Sequence, residues 1–325
     1  MIIWINGVRG IGKSTISEEI AKKIKGENVE LLHSDEYYRR MLSDDMNLAL
    51  GTGTHPYDNK YFSDYFRKQI EKSLKQGKKV IVDMTLINYR DGFNKYQLDI
   101  LKELKNKGII FSLVTGRSVS FFKLFPELLE FVDYIISSNG GAIFDVRNNK
   151  FLYNVCIKDN SFKKLIEYGI ENNFTFVINE LDKVYKYGNL KKIDSMDFDI
   201  NRQYFSEQIV FYVKNVKINN IMKTIESVDS VVVNNVNKKD DRYSFDVNDI
   251  SVSKGNSLLW LWDYLDIESS EVIAFGDGEN DISMFKVAGL SVAVDNASDD
   301  IKSKVDCITL SNDEDGVAVF LETLI

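Results

Sequence analysis

Short apolar runs alternate with longer amphipathic stretches over the last two thirds of this chain. Short apolar runs are typical of buried strands, and apolar residues spaced three and four apart are typical of helices. This alternation predicts an α/β fold with a parallel, doubly wound sheet. The predicted strands are Val80–Asp83, Ile109–Val114, Tyr134–Ser137, Val272–Phe275 and Ser291–Val294, and the predicted helices are Asn94–Lys107, Phe121–Phe131, Gly255–Tyr264 and Asp281–Ala288.

The pattern changes between about residues 152 and 249, where strands follow one another more closely. The predicted strands there are Phe174–Ile178, Gln208–Val213, Val228–Val233 and Tyr243–Val247, with helices at Phe162–Asn172 and Ile218–Val228. Such a mixture indicates a separate α+β insert. We therefore expect three parts, which are an N-terminal segment at 1–78, a core at 79–149 and 250–325, and the insert at 150–249.

The composition limits the classes of partner. The net charge of -8 argues against general binding to nucleic acids or anionic membranes. The chain has 2 cysteines, which supports neither a disulfide framework nor a thiolate metal site. No apolar run approaches the roughly 18 residues needed to cross a bilayer, so we expect a cytoplasmic protein. The oligomeric state is left open by the sequence.

A glycine-rich loop near the N-terminus fits the G-x-x-x-x-G-K-[ST] pattern of phosphate-binding loops. It runs from Gly7 to Ser14 between a predicted strand and a predicted helix. Backbone N–H groups and the lysine of such a loop bind nucleotide phosphates, and its hydroxyl binds Mg²⁺. The residues expected to bind ATP or GTP are Gly7, Gly10, Gly12, Lys13 and Ser14. A glycine-rich turn that binds nothing is the alternative.

The segment from Ser34 to Arg39, together with Val82 to Asn88, resembles the small P-loop kinases of the polynucleotide-kinase and zeta-toxin type. That resemblance implies Asp35 as catalytic base, Arg39 as a phosphate contact and Asp83 as an acid near the metal. A helix N-cap is the alternative role for Asp35. The resemblance stops near residue 107, so it predicts a partial P-loop NTPase-like segment.

Four polar loops follow in order along the rest of the chain. They are Thr115-Gly116-Arg117, Ser137 to Gly141, Lys254 with Gly255, and Gly276 to Asp281. In this order they resemble the Cof-type haloacid dehalogenase (HAD) phosphatases. The resemblance implies a HAD-like, Rossmannoid sheet, an α+β cap that closes over a small phosphorylated metabolite, and a Mg²⁺ cofactor.

The same resemblance assigns roles to individual residues. Asp83, Thr115 and Lys254 would be catalytic, and Asp83, Asp277 and Asp281 would hold the metal. The residues implied to contact the substrate are Gly116, Arg117, Asn139, Gly140 and Asn280.

The first motif of this family, D-x-D-G-T, is incomplete here. Its only counterpart is Asp83-Met84-Thr85, so the second aspartate, the general acid and base, is replaced by Thr85 or deleted. Loss of general acid/base catalysis typically lowers a rate by about 10² to 10⁴. Three functions follow as hypotheses: a phosphatase with weakened turnover, a P-loop kinase or bifunctional kinase and phosphatase, and a non-catalytic ligand-binding fusion.

Both resemblances also need the strand that ends at Asp83. A strand has two edges, so it cannot keep the neighbours of a P-loop sheet and those of a HAD sheet together. We expect it in the HAD sheet, because the HAD part is otherwise complete. A composite sheet is the alternative.

Overall fold

The structure is a computed structural model of the chain. It describes residues 79–83, 95–124, 126–190, 195–214, 218–239 and 241–323. For residues 79–83 it describes the backbone and not the side chains. The elements that the sequence predicts before residue 79 lie outside this range. In the part of the chain that is described, no helix is long and apolar enough to span a membrane.

The described residues form two sheets, one of eight strands and one of six. The strands are β1 (Lys79–Asp83), β2 (Phe111–Val114), β3 (Tyr134–Ser137), β4 (Ala142–Asp145), β5 (Lys150–Asn154), β6 (Thr175–Glu180), β7 (Lys183–Tyr187), β8 (Met196–Asp197), β9 (Gln208–Lys214), β10 (Val231–Lys239), β11 (Arg242–Asp249), β12 (Val272–Gly276), β13 (Leu290–Val294) and β14 (Cys307–Thr309). The helices are α1 (Lys95–Asn106), α2 (Pro126–Leu129), α3 (Asp159–Glu171), α4 (Ile218–Glu226), α5 (Lys254–Leu265), α6 (Ile282–Phe285), α7 (Asp299–Lys302) and α8 (Gly316–Glu322).

The eight-stranded sheet has the order β14-β13-β12-β1-β2-β3-β4-β5. Neighbouring strands from β14 through β3 in this order are parallel to each other. At the other end of the sheet, β4 pairs antiparallel with β3, and β5 pairs antiparallel with β4. The strands are apolar because helices cover the sheet, as is usual for parallel sheets. Helix α5 buries Leu258, Leu261 and Trp262 against it. We call this sheet with its helices the core. The predicted doubly wound α/β fold is confirmed.

The strand β1 lies in the middle of the core sheet. It pairs in parallel with β12 on one edge and with β2 on the other. Since both edges are occupied, β1 has no edge left for strands from the N-terminal segment. The expectation that this strand belongs to the C-terminal sheet is confirmed. The strands that the N-terminal segment would add to a composite sheet lie outside the described residues.

The helix predicted at Phe121–Phe131 is wrong. The chain forms a 3₁₀ turn at Val119–Leu124 and a separate short helix, α2, that begins at Pro126. Proline has no N–H to donate and disfavours a helical residue before it, so a helix is interrupted there and can restart with proline in its first turn. The antiparallel strand β5, which lies within the range expected for the insert, belongs to the core sheet.

The six-stranded sheet has the order β10-β11-β9-β6-β7-β8, and we call it, with α3 and α4, the cap. Phe176, Phe211 and Phe245 are cross-strand neighbours and are fully buried in the cluster that includes both helices. Successive strand residues point to opposite faces. Val177, Val210 and Asp246 form the next cross-strand row and therefore lie on the other face of the sheet.

Two buried polar side chains connect the cap to the core. Nδ2 of Asn248, at the end of β11, donates to the carbonyl oxygens of Ser138 and Glu207 at 2.9 and 2.7 Å. The fully buried carboxyl group of Glu207 accepts hydrogen bonds from the backbone N–H of Leu181 and from Oγ of Ser138. Burial raises the pKa of Glu207 to about 7.

Two glycines with positive φ give a matched pair of substitutions. A Cβ at Gly140 (φ +105°) would lie 2.4 Å from the carbonyl oxygen of Ser253, whereas a Cβ at Gly108 (φ +85°) would meet nothing within 4 Å. We expect Gly108→Ala to lower the free energy of unfolding by about 1 kcal/mol, from backbone strain alone. Gly140→Ala should lower it by a further 1–3 kcal/mol or so because of overpacking. Denaturant unfolding measures both, and equal losses would contradict the close packing at Gly140.

The raised pKa of Glu207 predicts a pH dependence of stability. Between its ordinary pKa and about 7, the folded protein holds a proton that the unfolded chain has released. Stability should therefore fall as pH rises through this window, by roughly 3 kcal/mol, and stay level above it. The carboxamide of Glu207→Gln cannot ionise. Relative to the wild type, this variant should gain stability between pH 5 and pH 8, and parallel curves would refute the assignment.

Candidate active site

The turn that follows β12 folds back on the carboxylate of Asp281. Oδ2 of Asp281 accepts hydrogen bonds from the backbone N–H groups of Asp277 and Gly278, at 2.9 and 2.8 Å. Gly276 allows this approach, because a Cβ there would lie 2.6 Å from Cγ of Asp281. The turn is therefore fixed by its own acidic side chain, and it holds Asp277 at the carboxyl end of the strand.

A buried lysine reaches the same carboxylate from helix α5. Nζ of Lys254 lies 2.5 Å from Oδ1 of Asp281, and the two side chains are 3% and 1% exposed. Lys254 is the first residue of α5, directly after its N-cap Ser253. The next residue must be small, because a Cβ at Gly255 would lie 2.2 Å from the carbonyl oxygen of Ser283. Removing one partner of such a buried pair typically costs about 3–5 kcal/mol.

Solvent reaches the side chain of Asp277 in this turn, whereas that of Asp281 is buried. Its pKa is raised, first by desolvation and then by the charge of Asp281, and Lys254 opposes the shift. A cation would favour the ionised form of Asp277, and carboxylates are the ligands that Mg²⁺ prefers. Both oxygens of Asp281 already accept bonds from Lys254 and the backbone. The donor set therefore fits a hard cation with Asp277 as direct ligand and Asp281 behind it.

One carboxylate does not complete the coordination of such an ion, which takes several oxygen ligands. Among the side chains that it describes, no three carboxylate, histidine or cysteine groups gather around one point. The side chain of Asp83, which the sequence assigns to the same metal, lies outside that set.

The backbone of Asp83 ends β1 at the same edge of the sheet. Val82 is in register with Phe275, and Asp83 is in register with Val114. The residues that follow these partners are Gly276 and Thr115. Since β1, β2 and β12 are parallel, their carboxyl ends bring Asp83, Thr115 and Asp277 to one edge, where open α/β sheets bind ligands.

The loop after β2 is tied to the loop after β3. The buried Thr115 accepts a bond at its carbonyl from the N–H of Asn139 (2.9 Å), and its Oγ1 accepts one from the N–H of Arg117 (3.2 Å). The exposed guanidinium of Arg117 lies 4.1 Å from the ring centroid of Phe121. The loop thus keeps its hydroxyl and guanidinium groups at the sheet edge.

The turn after β3 has three consecutive residues with positive φ. Ser138, Asn139 and Gly140 have φ values of 52°, 57° and 105°. Oγ of Ser257, on α5, donates to the carbonyl oxygen of Gly140 at 2.5 Å. Gly140, which the sequence assigns to the substrate, thus contacts α5 and anchors the turn.

Asn139 links the cap to the turn from Gly276 to Asp281, which we call the metal turn because the sequence predicts a metal site there. Its Oδ1 accepts a hydrogen bond from Nδ2 of Asn280 (2.8 Å), and its Nδ2 donates to Oδ2 of Asp246 (3.1 Å). Asp246, on cap strand β11, is a residue that the sequence analysis missed. Burial raises the pKa of Tyr212 to about 12, and the negative charge of Asp246 is the second largest cause of this shift. The missed signal was an acidic residue between Phe245 and Val247, two apolar residues of a predicted strand.

The structure thus brings together most of the residues predicted for the C-terminal site. Thr115, Gly116, Arg117, Asn139, Asn280 and Asp246 form one group of neighbours, and Lys254, Asp277 and Asp281 form the adjoining one. The predicted residues that lie outside the described range are Gly7, Gly10, Gly12, Lys13, Ser14, Asp35 and Arg39.

Known protein families and individual proteins resemble most of this chain. Residues 80–321 match the family model of haloacid dehalogenase-like hydrolases, and residues 2–97 match the model of an AAA domain. The phosphoglycolate phosphatase of Archaeoglobus fulgidus is 28% identical over 245 residues, which cover 75% of this chain and 95% of that protein. The 5-amino-6-(5-phospho-D-ribitylamino)uracil phosphatase YcsE of Bacillus subtilis is 26% identical over 248 residues, which cover 74% and 93%.

A solved structure has the same fold. The crystal structure of a haloacid dehalogenase-like hydrolase from Bacteroides thetaiotaomicron superposes with a TM-score of 0.67 and 25% identity, covering 76% of this chain and 99% of that one. The family match spans most of the chain. Apart from Lys79, the first residue of β1, it includes every strand of both described sheets. This chain belongs to the haloacid dehalogenase-like hydrolase family.

Proposed function

We propose that this protein is a Mg²⁺-dependent phosphatase that hydrolyses a phosphoric monoester of a small metabolite through an aspartyl-phosphate on Asp83. The observation that carries the proposal is the buried ion pair of Lys254 and Asp281 beside Asp277, at the sheet edge where β1 ends. The phosphatase relatives from A. fulgidus and B. subtilis support the reaction class.

The residues of this site suit a phosphoryl transfer. A carboxylate oxygen of Asp83 would attack phosphorus while the bond from phosphorus to the alcohol oxygen breaks. Thr115 and Lys254 would hold the phosphoryl oxygens, and the positive charge of Lys254 would oppose the charge that builds up on them. Water would then attack phosphorus and release inorganic phosphate with Asp83 regenerated.

Asp83 and Asp277 would hold Mg²⁺, with Asp281 oriented behind them. Bound there, the ion would neutralise charge on the phosphoryl group and keep it aligned with the nucleophile. Lys254 would remain fixed by its contact with Asp281 throughout.

Proton transfer is the weak part of the proposed site. The second aspartate of the first motif is absent, and a threonine hydroxyl cannot exchange a proton near neutral pH as a carboxyl group does. The leaving alcohol would then take its proton from water. Turnover should therefore be lower by about 10² to 10⁴ than with a complete motif.

The cap would cover the substrate during the reaction and exclude water. We assign it to residues 155–249, since β5 pairs within the core, and we assign the core to 79–154 with 250–325 and the P-loop segment to 1–78.

The phosphatase proposal predicts Mg²⁺-dependent phosphate release from a panel of sugar phosphates, nucleotides, phosphoglycolate and cofactor phosphates. Asp83→Asn and Asp277→Asn should each lower the rate by about 10² or more, because each removes a charged group from the transfer step. Glu279→Gln is the matched control, since this exposed carboxylate lies in the same turn. It should stay within about twofold of the wild type. Equal rates in all four proteins, or no release by the wild type, would end the proposal.

A second candidate function is nucleotide binding by the P-loop, with kinase activity as its extension. The match of residues 2–97 to an AAA domain favours it. Asp35 would then be the base and Arg39 a phosphate contact.

Calorimetry with Mg²⁺ and ATP or GTP tests this second function. We expect binding by the wild type and a loss of about tenfold or more in Lys13→Ala, because a P-loop lysine contacts the phosphates directly. Lys25→Ala, beyond the loop in the sequence, should bind as the wild type does. Absence of binding by the intact protein would remove the kinase hypothesis.

A further inference from the structure

We propose that Asp246 of the cap is a positioning residue that sets the orientation of two amide side chains in the active site, Asn139 and Asn280. The effect on catalysis rests on the phosphatase function proposed above. The hydrogen-bond relay itself is a property of the fold and can be tested without activity.

The relay runs from the cap to the metal turn in two hydrogen bonds. Nδ2 of Asn139 donates to Oδ2 of Asp246 at 3.1 Å, and Nδ2 of Asn280 donates to Oδ1 of Asn139 at 2.8 Å. Asn139 is fully buried and Asp246 is 8% exposed. The bond between Asn139 and Asp246 is therefore shielded from water, which would otherwise compete for the same groups, and the bond from Asn280 is half-buried.

The carboxylate fixes the direction of both bonds. An ionised carboxylate only accepts hydrogen bonds, whereas an amide group can donate or accept after a rotation of its plane. Asn139 must turn its NH₂ group to Asp246, so its oxygen faces Asn280. Asn280 must then donate, which turns its own Oδ1 towards the metal turn. That oxygen lies 2.7 Å from the position that a Cβ on Gly278 would take.

The surroundings leave the relay little freedom. A Cβ on Gly116 would lie 3.0 Å from Oδ1 of Asn139 and 3.2 Å from Oδ2 of Asp246. The backbone N–H of Asn139 is held by the carbonyl of Thr115. The strand that carries Asp246, β11, lies between β9 and β10. A displacement of this strand would therefore change the orientation of Asn280 through the two hydrogen bonds. Asn280 follows Asp277 by three residues in the same turn.

Asp246→Asn tests the direction of the relay, because the amide can accept or donate and both orientations of Asn139 become possible. With the best substrate from the panel, or with p-nitrophenyl phosphate, and Mg²⁺, we expect kcat to fall about tenfold. This is the effect of losing a charged hydrogen-bond partner. KM should change by less than about threefold, because the substrate still enters the same site.

Asp249→Asn is the matched control. Asp249 ends the same strand, is buried, and accepts its hydrogen bonds from Ser251 instead. Its substitution should lower thermal stability at least as much as Asp246→Asn and leave kcat unchanged. If both variants lose kcat equally, or neither does, Asp246 has no positioning role in catalysis.

A double-mutant cycle of Asp246→Ala and Asn280→Ala tests the relay without a substrate. Because the two residues are joined through Asn139, their effects on thermal unfolding should be non-additive. Additive shifts in melting temperature would overturn the relay. If the wild type hydrolyses no phosphoric monoester, the phosphatase proposal fails and this cycle alone decides whether the relay exists.

Discussion

The central strand of the core sheet can hydrogen-bond to two neighbours, and in this chain those neighbours are β2 and β12. The placement of the site depends on this pairing. It brings the backbone of Asp83 level with the ends of the strands that lead into Thr115 and Asp277. The turn after β3, the next strand in the sheet, then adds Asn139. Residues that are far apart in the chain become neighbours because parallel strands end at the same edge.

Charge explains why helix α5 must begin where it does. The carboxylates of Asp277 and Asp281 repel each other, which is one cause of the raised pKa of Asp277. Lys254 offsets part of this repulsion from a buried position at the first turn of α5. Glycine at 255 lets the helix approach the backbone of Ser283 closely enough to bring the lysine in. Packing and electrostatics thus need the same short segment, Ser253 to Gly255.

Much of this arrangement could be predicted from the sequence, since it rests on local patterns. The apolar runs of β2, β3, β12 and β13 and the polar residues after them mark the strand ends directly. Elements that depend on distant partners were harder to predict. β4, β5 and β7 are strands because of the neighbours they pair with, and β10 begins at Val231 because α4 and the turn bond from Val228 to Ile225 use the residues before it. Asp246 was missed for a similar reason. Its role depends on which face of the cap sheet meets Asn139, and this follows from register.

The turn of Ser138, Asn139 and Gly140 has a consequence for evolution and engineering. Two L-residues with side chains occupy left-handed backbone conformations there, in succession. For Ser138 this conformation is less stable than it would be for glycine, by about 1 kcal/mol, whereas asparagine tolerates it better than most residues with side chains. Glycine would relieve the backbone at both positions, but it would also remove the hydrogen bonds that the side chains of Ser138 and Asn139 make. The turn keeps the side chain of Asn139 between the metal turn and the cap while its backbone stays in a strained conformation. Backbone conformation and side-chain contacts therefore favour different residues at the same position.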